Sequence, residues 1–157
     1  IDAVVAYEPY SSELAAAGAV VVFDSRSIPG EIVDVLVTRQ SLIDERPEAI
    51  RALIDSWFDA LAYLRANPVA GGRLVSEQTR LQPDLFPGIF DRMHLLDRVE
   101  NARLFTASGG GLTDSLRRIQ AVMLGHQLLR KEVDLSRLVD SAFLWDAASG
   151  AGSQTRP

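Results

Sequence analysis

Three short β-branched runs, all within the first forty residues, set the tightest limit on what this chain can fold into. They are Ala3-Val4-Val5-Ala6, Ala19-Val20-Val21-Val22-Phe23 and Val33-Asp34-Val35-Leu36-Val37, each bounded by Gly, Pro, Ser or Asp. Runs of this kind read as strands covered on both faces by helices. Between the first two, residues 8–17 are Ala-rich, carry Pro9 at the start and stop at Gly18, so they predict a short crossover helix and hence a βαβ unit. Residues 24–30, DSRSIPG, have the polar Pro-Gly chemistry of a loop.

From residue 40 the period becomes helical. Pro47 occupies a first helical position, and Ile50, Leu53, Ile54, Trp57, Leu61 and Leu64 recur at spacings of three and four, predicting one buried face on a helix that ends near Asn67-Pro68. On that stripe Trp57 is expected in the core. A further helix is expected after Asn67-Pro68, weakened by Gly71-Gly72. Others are expected over residues 83–93, from an N-cap at Thr113 through Leu129, and over residues 135–145. Residues 148–157 read as a disordered tail. The fold class expected is α/β, strand-poor and helix-rich after residue 40. Three parallel strands cannot cover so many amphipathic helices, so the chain reads as the second half of a larger fold, one that a second copy or an N-terminal partner chain would complete.

Composition excludes several function classes. The chain has 157 residues and a net charge of −5, with arginines scattered and not interleaved with aromatics, so it lacks the basic field that draws a protein to nucleic acid. It has no cysteine, which removes disulfides, thiolate metal sites and a cysteine nucleophile together. His94 and His126 lie far apart with no acid at ligand spacing, so no metal is expected. No serine sits in a GxSxG elbow. Ser108-Gly109-Gly110-Gly111 precedes a helix but lacks the Lys and spacing of a phosphate loop, and reads as a flexible helix connection.

The order of motifs is informative as a set. Residues 1–10, IDAVVAYEPY, are followed by Phe23-Asp24-Ser25, Ile28-Pro29-Gly30 and residues 34–39, DVLVTR. Then come residues 45–48, ERPE, Asn67-Pro68, Val99-Glu100-Asn101 with Phe105, Thr113-Asp114-Ser115-Leu116 and residues 140–144, DSAFL. This order resembles the solute-binding proteins of ABC importers of the nitrate, sulfonate and taurine class, which includes binders of thiamine-pyrimidine precursors.

The resemblance covers residues 1–145 and implies part of a type II periplasmic-binding-protein-like fold, two α/β lobes with the solute in the cleft between them. Residues 1–30 would end the second lobe and cross back, and residues 31–147 would form the C-terminal part of the first lobe. It implies a small solute such as a sulfonate, nitrate or a pyrimidine, an ABC permease as partner, an extracytoplasmic location and no catalysis. Two alternatives share the fold: an enzyme like the thiamine-pyrimidine synthase, and the ligand-sensing domain of a regulator. A Lys-linked cofactor fits poorly, since Lys131 is the only lysine.

Tyr7, Glu8 and Pro9 are the candidate ligand-binding residues, since in the resembling family the residues after this strand face the cleft. Tyr7 could cover a small planar solute, and Glu8 could accept hydrogen bonds from an amine or anchor an arginine. Equally, Glu8 could simply complement the start of a helix while Tyr7 packs.

Overall fold

A computed structural model describes residues 1–79, 86–106 and 109–145. Among the described residues seven α-helices run in order: α1 Tyr10–Ala16, α2 Gln40–Glu45, α3 Pro47–Ala66, α4 Pro68–Thr79, α5 Phe86–Phe90, α6 Arg98–Thr106 and α7 Leu112–Gly125, with a 3-10 turn at Ser25–Ser27. The described residues fall into two compact units, the first within 1–28 and 57–95 and the second within 29–56 and 96–145, so that α3 contributes to both.

The expected α/β fold is corrected: no strand is present among the described residues. The three β-branched runs are outside any helix but lie open to solvent, with Val5 101% and Val22 94% exposed. The reason is the count of available neighbours. A parallel strand is stable only when flanked by others and covered on both faces. Here the first unit holds two of the runs and the second holds one. Neither can assemble a sheet from its own residues, so β-propensity goes unexpressed and no βαβ unit forms.

In the first unit, α1 ends as its sequence dictates. Gly18 takes φ +94°, the Gly18 amide donates to the Ala15 carbonyl and the Ala19 amide to that of Leu14, which satisfies the last helical acceptors. The second half of α3 brings Leu61 to 3% exposure, while α5 buries Phe86 and Ile89 and stacks Phe86 on Phe90 at 5.6 Å between ring centroids. Asn67 serves both flanking helices: its amide donates to the Tyr63 carbonyl, and its own carbonyl accepts from Gly71. From the expected helix over residues 83–93, residues 83–85 lie outside the described residues and Phe86–Phe90 is helical.

In the second unit the core gathers Ile50 from α3, Ala102 from α6, Leu112 and Ser115 from α7, and Leu144. Arg98 pairs with Asp55 and donates to the Leu144 carbonyl at 3.1 Å. Arg118 bonds Glu31 at 2.6 Å and the Ser115 hydroxyl at 2.9 Å, and Arg51 lies 5.3 Å over the Phe143 ring. These contacts hold the polypeptide on either side of the helices with few large apolar groups.

Four finer expectations are also corrected. Trp57 is 55% exposed although it shares the meridian of Ile50 and Leu61, because the apolar groups that bury those two residues leave its ring largely uncovered. α7 begins at Leu112 with Gly111 as its cap, so Thr113 is inside the helix; the Asp114 carboxylate, not Thr113, accepts from the Gly110 amide. It ends at Gly125, where Gln127 takes φ 59° and the Leu128 amide closes on the Met123 carbonyl. Residues 135–145 form turns, since Asp134 and Asp140 capture the amides two residues on, of Ser136 and Ala142, and so compete with a helix. The expected tail at 148–157 lies outside the described residues.

Candidate functional site

The first unit places Tyr7, Glu8 and Pro9 at the entrance to α1. Pro9 is the residue before the helix, with φ −85°, and needs no amide partner there. Its carbonyl accepts from the Ser12 and Glu13 amides and that of Tyr7 from the Ser11 amide, so the chain turns sharply at the Glu8–Pro9 bond, which is cis. That turn brings Tyr7 and Tyr10 edge to face, with centroids 5.9 Å apart and planes at 82°. Both rings remain open to solvent, Tyr7 by 76%.

Glu8 is the polar centre of this corner. Its Oε2 accepts from the Ser12 hydroxyl at 2.7 Å, and its Oε1 lies 3.1 Å from Nη1 of Arg92, which stands just beyond α5. The Glu8 side chain is 15% exposed and that of Arg92 60%. Partial burial pushes the Glu8 carboxyl up, but hydrogen bonds from the Ser12 and Ser11 hydroxyls and the charge of Arg92 together outweigh it and hold the group below its ordinary value. Glu8 is therefore an ionised acceptor beside two exposed rings, and among the described residues Arg92 is bonded through Nη1 to Glu8.

This depressed value has a consequence for stability. The contribution of the Glu8 contacts is complete above the ordinary carboxylate value of 4.5 and is lost as the pH falls through the lower native value. Urea midpoints of the wild type and Glu8→Gln should differ most near pH 7 and converge below pH 4.5; a gap constant across that range would show that the carboxylate charge has no part in it.

Sequence reasoning singled out Tyr7, Glu8 and Pro9 as candidates, and the structure sets Tyr10, Ser12 and Arg92 beside them. Ser12 was within reach of a local rule, being four residues from Glu8 at a helix start. Arg92 is 84 residues from Glu8 and carries no local signal. His94 and His126 are both exposed, and among the described residues no three His, Asp or Glu side chains gather as a metal ion would require. Gly109 and Gly110 take φ of +90° and +80°, so the glycine run reverses the chain ahead of α7.

All of the corner except Arg92 lies inside a stretch that has a counterpart among known proteins. Residues 1–72 match the NMT1-like family. The matched stretch takes in all three β-branched runs, α1 to α3 and the first turn of α4, and it supports the resemblance to the solute-binding class at the level of the family. No curated protein and no solved structure matches the chain. No helix among the described residues is long and apolar enough to cross a membrane.

Proposed function

We propose that this chain carries part of the ligand-binding surface of an ABC importer's solute-binding component, acting outside the cytoplasm with a membrane permease. The bound solute is a small planar heterocycle bearing amino donors, held without turnover. One juxtaposition carries the reading: two exposed tyrosine rings of the NMT1-like stretch stand beside a carboxylate held by Ser12 of that stretch and by Arg92, which lies outside it.

Each part has a task that its chemistry suits. The Tyr7 face offers a platform on which a planar ring stacks, worth about 0.5–1.5 kcal/mol beyond the area it covers. Glu8 has acceptor lone pairs left over after Ser12 and Arg92, and these take an exocyclic amine. Arg92 supplies a donor to a ring nitrogen or carbonyl. A bare anion such as nitrate or a sulfonate suits the corner less well, because Glu8 places a fixed negative charge 3.1 Å from the Arg92 guanidinium.

Calorimetric titration with an aminopyrimidine, taurine and nitrate tests the proposal. The aminopyrimidine should bind saturably, and Tyr7→Ala or Glu8→Gln should each weaken it about tenfold, the loss of roughly one stacked or hydrogen-bonded contact. Binding of taurine or nitrate in its place, or aminopyrimidine binding indifferent to both substitutions, would overturn it.

A further inference from the structure

Glu8 holds its two partners through different oxygens. Half-buried Ser12, in the first turn of α1, gives its hydroxyl to Oε2 at 2.7 Å, and exposed Arg92 gives Nη1 to Oε1 at 3.1 Å. The carboxylate is itself 15% exposed, so a solute reaches it where Oε1 and the guanidinium stand together. Opposite charges so close offset one another: an incoming cation is drawn by Glu8 and repelled by Arg92, and an incoming anion the reverse. As a unit the pair has no net charge to offer a third. What it presents side by side is a carboxylate acceptor and a guanidinium donor, and an uncharged edge carrying a donor next to an acceptor satisfies both at once. An exocyclic amine beside a ring nitrogen is such an edge.

We propose that Arg92 is the specificity-determining residue of the corner: paired with Glu8, it selects neutral heterocycles whose amine adjoins a ring acceptor and rejects ammonium and carboxylate ligands built on a similar ring. This deepens the heterocycle reading above and rests on it. Tyr7 stacks on any flat ring, so it adds affinity without distinguishing charge. Discrimination falls to the pair, and it arises as much from the repulsion each partner exerts on the wrong ion as from the bonds made to the right edge. Removing either partner therefore does more than weaken the site. It leaves the other charge without its counterpart and turns the preference toward the ion that partner had excluded.

Calorimetric titration of the full chain near neutral pH with three single-ring probes, neutral 4-aminopyrimidine, benzylammonium and benzoate, reads the charge preference. The wild type should bind the aminopyrimidine at least ~10-fold more tightly than either ion. Arg92→Gln should weaken the aminopyrimidine ~10-fold and strengthen benzylammonium at least ~5-fold, and Glu8→Gln should strengthen benzoate by as much. A gain of binding cannot come from a misfolded chain. Arg92→Lys, which keeps the charge and loses the planar fork, should go on excluding benzylammonium while binding the aminopyrimidine less well. If the aminopyrimidine binds through Tyr7 and Glu8 but the variants weaken all three probes in proportion, or the wild type takes an ion equally well, the role of Arg92 is overturned and the heterocycle reading stands. If the wild type does not bind the aminopyrimidine, or binds it regardless of Tyr7→Ala and Glu8→Gln, both fall together.

Discussion

Leu61→Ala lowers the stability of the chain by about 3 kcal/mol, whereas the same substitution at Leu53, on the same helix, costs below about 1 kcal/mol. Leu61 is 3% exposed and lines a small apolar void of about 40 Å³ with Trp57, Ala60, Leu64 and Leu95. Truncation there removes buried methyl groups and enlarges a cavity already present, so the transfer and cavity costs add. Leu53 is 55% exposed, and alanine returns a little helix propensity in compensation. Urea unfolding followed at 222 nm measures both. Equal shifts at the two positions would mean that α3 has no single buried meridian, contrary to the placement of Ile50 and Leu61.

The same helix illustrates what is local and what is not. Pro47, the spacing of three and four, and the Asn67-Pro68 stop lie within twenty-two residues of one another, and α3 runs from Pro47 to Ala66 as they require. The apolar stripe fixes which face is buried but not how much of its length is covered, which depends on the apolar surface that arrives from elsewhere; Trp57 lies on the stripe and still stays exposed. For the β-branched runs the dependence on distant chain is complete. Their composition specifies an extended backbone, while a strand needs a neighbour, and neither unit holds enough of them.

α6 shows the opposite case, a signal that was present and passed over. Arg98–Thr106 is polar on most sides, so periodicity is silent, but Asp97 and Glu100 form a reciprocal cap. The Asp97 carboxylate accepts from the Glu100 amide and the Glu100 carboxylate from the Asp97 amide, both at 2.8 Å. In the corner at Tyr7-Glu8-Pro9 the local half was legible, because a strand-like run ending in an acid, a proline and an Ala-rich helix announces a turn. Its electrostatic half was not, since Arg92 reaches Glu8 only through the packing of α4 and α5 into one unit.

That packing depends on Gly72, where two opposed effects of known size meet. Alanine in a helix interior is favoured over glycine by about 1 kcal/mol. A methyl group at position 72 would meet Phe86, however, with its Cδ1 at 2.9 Å, Cγ at 3.3 Å and Cβ at 3.4 Å. Phe86 is itself buried and stacked on Phe90, so its ring root cannot withdraw, and overpacking of this kind costs up to about 3 kcal/mol. Gly72→Ala should therefore destabilise by about 2 kcal/mol. At the adjacent Gly71 the closest atom, 2.5 Å away, is Cδ2 of Leu64, a terminal methyl that a rotamer change moves aside, and Gly71→Ala should fall near zero. Because the cost at position 72 is a clash with one ring, Phe86→Leu should absorb more than about 1 kcal/mol of it in the double variant, a coupling that urea midpoints of the four proteins resolve. A Gly72→Ala variant more stable than the wild type, or strict additivity with Phe86→Leu, would mean that α4 and α5 do not meet at this glycine.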